Sequence, residues 1–173
     1  MQQILLKITK KLPLKKNFLL GFALAVIALA LDLYTKYIIL RHLSDQHGGF
    51  KSIEVTSFFS LIYVKNLGIS FGMFNNIANA REIFIVIQGL IASSLLVWLF
   101  YCQKFYIAGA LGLIIGGAYG NVIDRYFNGG VTDFLDFHYQ NFHYPAFNLA
   151  DSLIFIGVMI ILIDEFFLAK KPK

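Results

Sequence analysis

"NFLLGFALAVIALALDLYTKYIIL", Asn17 to Leu40, decides the fold class. A helix needs about 20 consecutive, mostly apolar residues to cross a bilayer, and this stretch supplies them. Two charged side chains interrupt it, Asp32 and Lys36, both in its second half. Their i, i+4 spacing puts them on one helical face, where they can pair. A cleaved secretory leader is the competing reading. It would use the basic residues ahead of Asn17, the apolar run and the A-x-A at Ala28 to Ala30. The apolar run continues past Ala30 and then reaches Asp32 and Lys36, which favours a retained span.

Three more stretches have similar length and composition: "IFIVIQGLIASSLLVWLFY" (83–101), "FYIAGALGLIIGGAYGNVI" (105–123) and "AFNLADSLIFIGVMIILIDEFFLA" (146–169). Only "CQK" separates the second from the third, so those two form a tight antiparallel hairpin. The expected architecture is an all-α membrane protein of one domain, 1–173, with four transmembrane helices at about 17–40, 83–101, 105–123 and 146–169. Long loops would occupy 41–82 and 124–145. Within the first, "KSIEVTSFFSLIYVKN" alternates as a strand does, which predicts a small extracytoplasmic β-rich region. The aromatic-rich "FHYQNFHYPAF" (137–147) suits an interfacial belt resting on membrane lipids.

Composition agrees. The chain is 58% hydrophobic and 14% charged, with mean hydropathy +0.68. Soluble domains carry about a quarter charged residues. The net charge of +5 does not point to nucleic acid, because no basic stripe is interleaved with stacking aromatics. The basic residues instead flank the spans. Lys7, Lys10, Lys11, Lys15, Lys16, Lys104, Lys170, Lys171 and Lys173 fall on one side. Lys36, Arg41, Lys51, Lys65, Arg81 and Arg125 fall on the other. The more basic side is cytoplasmic, so both termini are expected there and both long loops outside. Cys102, the single cysteine, has no partner for an internal disulfide and reads as a small apolar filler.

With that orientation, the polar residues within the spans share one depth. Asp32 and Lys36, Asn121 and Asp124, and Asn148 and Asp151 all fall at outer helix ends, and Asp133 lies in the loop joining the last two helices. Intramembrane charges are costly and usually face a bundle interior or cavity. A polar site at the outer face follows. Asp136, Asp164 and Glu165 fit ordinary interfacial charges and caps, whereas Asp151 lies inside an apolar run. Two carboxylates sharing one proton can act as a general acid/base pair without metal or other cofactor: the ionised one takes a proton from water and the protonated one activates a carbonyl.

Other motifs are weaker. "GISFG" (68–72) matches G-x-S-x-G, but a nucleophile elbow needs a strand-to-helix turn, and "MFNN" follows it. His138 and His143, with Asp136, could ligate metal, yet no H-E-x-x-H or cysteine pair accompanies them, so the two histidines read as interfacial loop residues. Ser93 and Ser94 most often satisfy backbone carbonyls within a span. A small transporter or proton channel is the rival function. Its acidic pathway should continue through the midplane, but the inner halves of spans two and three hold no acidic residue and span four has acids only at its two ends.

"DLYTK" (32–36), "NLGISFG" (66–72), "GGAYGNVIDR" (116–125), "VTDFLDF" (131–137) and "FNLADSLI" (147–154) together resemble the lipoprotein signal peptidases, the bacterial type II signal peptidases. The resemblance covers almost the whole chain, with one small departure at Ser70, where Ala is commoner. It implies a monomeric multi-pass protease of the cytoplasmic (inner) membrane that cuts diacylglyceryl-modified prolipoproteins on the amino side of the lipidated cysteine. It implies aspartic-protease chemistry by Asp133 and Asp151. Asn66, Gly68, Asn121, Arg125 and Asn148 would orient the dyad and the substrate, and Asp32, Lys36 and Asp124 would be structural support. Asp124 competes with Asp133 as the partner of Asp151. Asp133 is preferred, because a cation beside Asp124, Arg125 or Lys36, favours permanent ionisation there.

Overall fold

Helix α1 (Lys15–Leu43) contains the whole first expected span and continues three residues past it. The structure, a computed structural model, describes residues 15–43, 52–68 and 79–168. Ser70 with the rest of "GISFG" after Gly68, Lys51, and the terminal lysines other than Lys15 and Lys16 lie outside the described residues.

After α1 come strands β1 (Ile53–Thr56) and β2 (Phe59–Asn66), helices α2 (Ala80–Tyr101) and α3 (Phe105–Asn128), strands β3 (Val131–Tyr139) and β4 (Phe142–His143), and helix α4 (Leu149–Ile163). A π-helical turn, Asp164–Leu168, extends α4. Among the described residues, three helices are long and apolar enough to cross a membrane: Lys16–Leu43, Arg81–Tyr101 and Phe105–Asn128. The fourth expected span is an α-helix of 15 residues plus that π turn.

Most of the α3 apolar window is buried by its neighbours, while most of α2 is left uncovered. Small residues make the central position of α3 possible. A Cβ on Gly112 would collide with the Gly21 carbonyl of α1, and one on Gly116 with the Ala25 carbonyl. The two backbones therefore touch directly, as small residues permit between membrane helices. Ala25, Leu99, Cys102, Ala108, Leu111 and Ile115 form the apolar cluster among α1, α2 and α3. Cys102 is buried there as expected, and Ser93 and Ser94 donate to the carbonyls of Gly89 and Ile91.

The helices differ from the sequence reading in two details. Helix α3 runs on to Asn128, so Asp124 and Arg125 belong to a helix rather than to a loop. It stops where Gly129 adopts φ 75° and its N–H returns to the Arg125 carbonyl, a C-terminal geometry that glycine adopts without Cβ strain. Asp164, expected as an ordinary interfacial charge, is instead buried and receives Lys104 Nζ at 2.6 Å and Tyr106 OH at 2.6 Å. The pair ties the α2–α3 turn to the end of α4.

The segment expected as a bare loop between α3 and α4 carries β3, which joins one four-stranded antiparallel sheet in the order β1–β2–β3–β4. Val64 pairs with Asp133, and Asn66 with Val131. The β-rich region is therefore larger than the alternation of 51–66 alone predicts. The two histidines also sit in this sheet. His143 Nδ1 lies 2.9 Å from the buried carboxylate of Asp136, and His138 Nε2 lies 3.1 Å from Ser60 Oγ. Asp136 is thus a strand residue with a partner inside the sheet, not a loop charge.

Candidate active site

Alternation along β3 decides where Asp133 faces. Phe134 packs with Ile39 and Leu43 of α1 in a small apolar cluster, so Asp133 turns to the other side of the sheet. There it meets the start of α4. Asn148 is the N-cap of that helix: its Oδ1 accepts from the Asp151 N–H at 3.0 Å, and Asp151 Oδ2 accepts from the Asn148 N–H at 3.3 Å. This is a capping box. The bland reading of Asp151 as a helix-end residue, discounted from the sequence, is therefore correct as far as it goes. Asp151 stabilises its own helix and also lines a cavity.

The cavity measures about 530 Å³ and is lined by Asn66, Gly68, Asn121, Arg125, Asp133 and Asp151, among others. Three asparagines hold the two carboxylates, and two of them, Asn121 and Asn148, link one to the other. Asn66 Nδ2 donates to Asp133 Oδ2 at 2.9 Å, and Asn148 Nδ2 donates to Asp133 Oδ1 at 2.7 Å. Asn121 Nδ2 donates to Asp151 Oδ1 at 2.9 Å. Asn121 and Asn148 also touch each other at 3.3 Å. Gly68 donates its N–H to Asn66 Oδ1 at 3.1 Å, which fixes which end of that amide faces Asp133. Asp133 is buried, and burial together with the neighbouring Asp151 charge pushes its carboxyl up to about 6 against the two amide hydrogen bonds.

A second polar cluster supports the first from below. Lys36 Nζ donates to Asp32 Oδ2 and to Asn121 Oδ1, both at 2.7 Å, and lies 3.7 Å from Asp124 Oδ2. Asp32 and Lys36 therefore pair as their spacing predicts. Asp32 Oδ1 also accepts the Ala150 N–H of α4 at 2.9 Å, so α1 and α4 meet on one carboxylate. Asp124 accepts from Thr132 N at 2.6 Å and Asn128 Nδ2 at 2.7 Å. Of the two cations weighed as its partner, Lys36 is the one in ion-pair contact. Asp124 is thereby committed to holding α3 against β3.

Gly120 is part of this arrangement, since a Cβ there would strike the Asp32 carboxylate. Gly120→Ala should displace Asp32 and cost about 1–3 kcal/mol, the usual penalty for overpacking. A lower melting temperature in detergent together with weaker activity is expected; a variant indistinguishable from wild type in both would show that Asp32 can move freely.

Asp32, Lys36, Asn66, Gly68, Asn121, Asp124, Arg125, Asp133, Asn148 and Asp151 thus lie together, and Ser70 of the weaker motif lies outside the described residues. The sequence reading did not single out Phe84 and Gln88 of α2, or Tyr144 and Phe147 before α4, which also line the cavity. Gln88 carried a usable signal, as an amide within an apolar span. The aromatics did not, because the chain has 18 Phe and 9 Tyr.

The family described as "Signal peptidase (SPase) II" matches residues 24–167. A lipoprotein signal peptidase of Cupriavidus pinatubonensis is 39% identical over 150 residues, covering 85% of this chain and 82% of its own. That of Francisella tularensis subsp. novicida is 39% identical, covering 87% and 93%, and that of Rickettsia conorii 37%, covering 92% and 81%. Among solved structures, a bacterial membrane enzyme determined by the in meso method at 1.9 Å is similar with TM-score 0.75 and 29% identity. The similarity covers 94% of this chain and 98% of that one.

Proposed function

The chain belongs to the signal peptidase II family, and we propose that it removes signal peptides from diacylglyceryl-modified prolipoproteins by aspartic-protease chemistry at Asp133 and Asp151. The observation that carries the chemistry is the pair of carboxylates on one cavity, bridged through Asn121 and Asn148. Nothing in the comparisons or the geometry favours transport.

In this reading Asp133 holds the shared proton, because burial and the neighbouring carboxylate favour its neutral form. Asp151 is the ionised partner, at a helix N-terminus whose partial positive charge suits a carboxylate. Asp133 donates a hydrogen bond to the scissile carbonyl oxygen. Asp151 takes a proton from a water whose oxygen attacks the carbonyl carbon. The tetrahedral intermediate collapses as the C–N bond breaks, and the proton on Asp151 passes to the leaving amine of the lipidated cysteine. No cofactor enters any of these steps.

The proposed topology has the α4 region as the fourth span, cytoplasmic termini and the sheet outside, which brings the site to the outer membrane surface. A lipidated substrate is anchored in that leaflet, so its scissile bond arrives at the depth of the dyad. A mostly apolar cavity of about 470 Å³ shares Tyr144, Phe147 and Asp151 with the first and continues along Phe155 and Ile156, which suits an acyl chain.

The test is cleavage of a lipidated prolipoprotein by purified protein in detergent, read by gel shift. Activity should survive EDTA and phenylmethylsulfonyl fluoride. It should also fall as pH rises through about 6, because the raised Asp133 carboxyl then loses the proton the dyad shares. Inhibition by either reagent, or activity still climbing at pH 8, would replace the aspartic reading with a metal or serine one.

A further inference from the structure

Arg125 is buried, yet no carboxylate is in ion-pair contact with it among the described residues. Its Nη1 donates to Gln88 Oε1 at 2.8 Å and, more weakly, to the Asn121 carbonyl at 3.4 Å. The Phe84 ring, one turn before Gln88 on α2, lies with its centroid 5.7 Å from the guanidinium carbon. Among the described residues, Arg125 Nε is buried without a hydrogen-bond partner. A buried donor left unpaired is costly, and such a cost is retained where a ligand supplies the acceptor. Arg125, Gln88 and Phe84 all line the cavity that holds Asp133 and Asp151. An amide in the most apolar of the three long spans is itself unusual.

We infer that Gln88 is a positioning residue for substrate binding: it fixes the Arg125 guanidinium so that its unpaired N–H meets a carbonyl oxygen of the bound lipopeptide. The inference rests on the proteolytic reading above. A guanidinium presents its donors in a rigid fork, so anchoring one nitrogen orients the others. Helix α3 fixes the base of the arginine side chain, and α2 fixes its tip through Gln88 and Phe84. The acceptor is either a peptide carbonyl near the scissile bond or an ester carbonyl of the diacylglyceryl group. Both present the same oxygen chemistry.

The experiment measures kcat and KM for Gln88→Leu and Gln88→Glu in the full-length protein, with a lipidated prolipopeptide. Leucine keeps the bulk and makes the span more apolar, so membrane insertion is not put at risk. Gln88→Leu should raise KM about tenfold with kcat within about twofold, the pattern of lost ground-state binding. Gln88→Glu retains an acceptor oxygen at the same reach and should stay within about threefold of wild type. In an Arg125→Lys background, Gln88→Leu should add almost nothing, because its effect runs through the guanidinium. Repeating the comparison with a dialkyl-ether lipopeptide locates the acceptor: a KM penalty that disappears there belongs to an ester carbonyl, and one that persists to a peptide carbonyl. An unchanged KM in Gln88→Leu, an effect additive with Arg125→Lys, or equal losses in Gln88→Leu and Gln88→Glu would overturn the assignment. Wild-type protein that fails to cleave the lipopeptide would overturn the proteolytic reading instead.

Discussion

Asp133→Asn and Asp151→Asn should each lower cleavage by about 10³-fold or more, and the double variant should be scarcely worse than either single one. The non-additivity follows from mechanism. Each carboxyl is needed for the transfers made by the other, so removing one disables the unit. Asparagine is nearly isosteric, and the fold should survive. Stability separates this outcome from general damage. A carboxyl whose pKa is raised on folding contributes most below its unfolded value near 3.8 and loses that contribution as pH rises through about 6. Asp133→Asn removes the penalty of a buried, repelled charge. Its amide nitrogen also meets the Nδ2 donor of Asn66 or Asn148, so the two effects oppose and the melting temperature at pH 8 should stay within about 3 °C of wild type, while activity is lost. A folded Asp133→Asn that cleaves at near the wild-type rate, beside a folded and inactive Asp124→Asn, would reassign the partner of Asp151 to Asp124.

The four helices and the residues gathered at the candidate site were legible in the sequence for one physical reason. In an apolar chain each polar side chain within a span is conspicuous, and the orientation of the spans turns its position into depth. That logic groups Asp32, Lys36, Asn121, Asp124, Asn148 and Asp151 without any coordinates. It does not reveal strand β3. "VTDFLDF" lies where both faces of the strand are covered, so its burial does not alternate and the period-two signal is absent. Nor does it reveal that α3 continues through Asp124 and Arg125. "GNVIDRYFN" is too polar to prolong an apolar run, yet it remains helical until Gly129 supplies the left-handed cap. The roles within the cluster were harder still. Asp124 and Asp133 have the same chemistry and nearby positions. They differ in their neighbours: Asp124 accepts from Thr132 and Asn128 beside Lys36, while Asp133 accepts from two asparagine amides facing a cavity. A pairing made across the fold cannot be read from spacing along it. Gln88 is the same case, since its partner Arg125 lies on the next helix.

Lys36→Met should be the most destabilising single change at the site, costing about 3–5 kcal/mol, as removal of one partner from a buried ion pair does. Lys36 is 2% exposed and is the cation shared by Asp32, itself fully buried, and Asp124. Methionine fills much of the same volume, so the loss is electrostatic and not a cavity. Without the ammonium, two carboxylates face each other with only hydrogen-bond donors to support them, at the point where α1, α3 and α4 meet. Asp32→Asn and Asp124→Asn should be milder, because each leaves Lys36 one carboxylate. Between them, Asp32→Asn should cost more, since its contact is 2.7 Å against 3.7 Å. Combining Lys36→Met with both Asn changes should recover much of the lost stability, because a buried ionic cluster removed as a whole leaves no uncompensated charge. Activity need not recover with it. Lys36 also fixes the Asn121 amide by donating to its oxygen, and the nitrogen of that amide holds Asp151. The triple variant should melt near wild type and still cleave slowly. A Lys36→Met protein that melts within about 2 °C of wild type would show that the helices are held together by apolar packing alone, with the buried charges serving the dyad and not the fold.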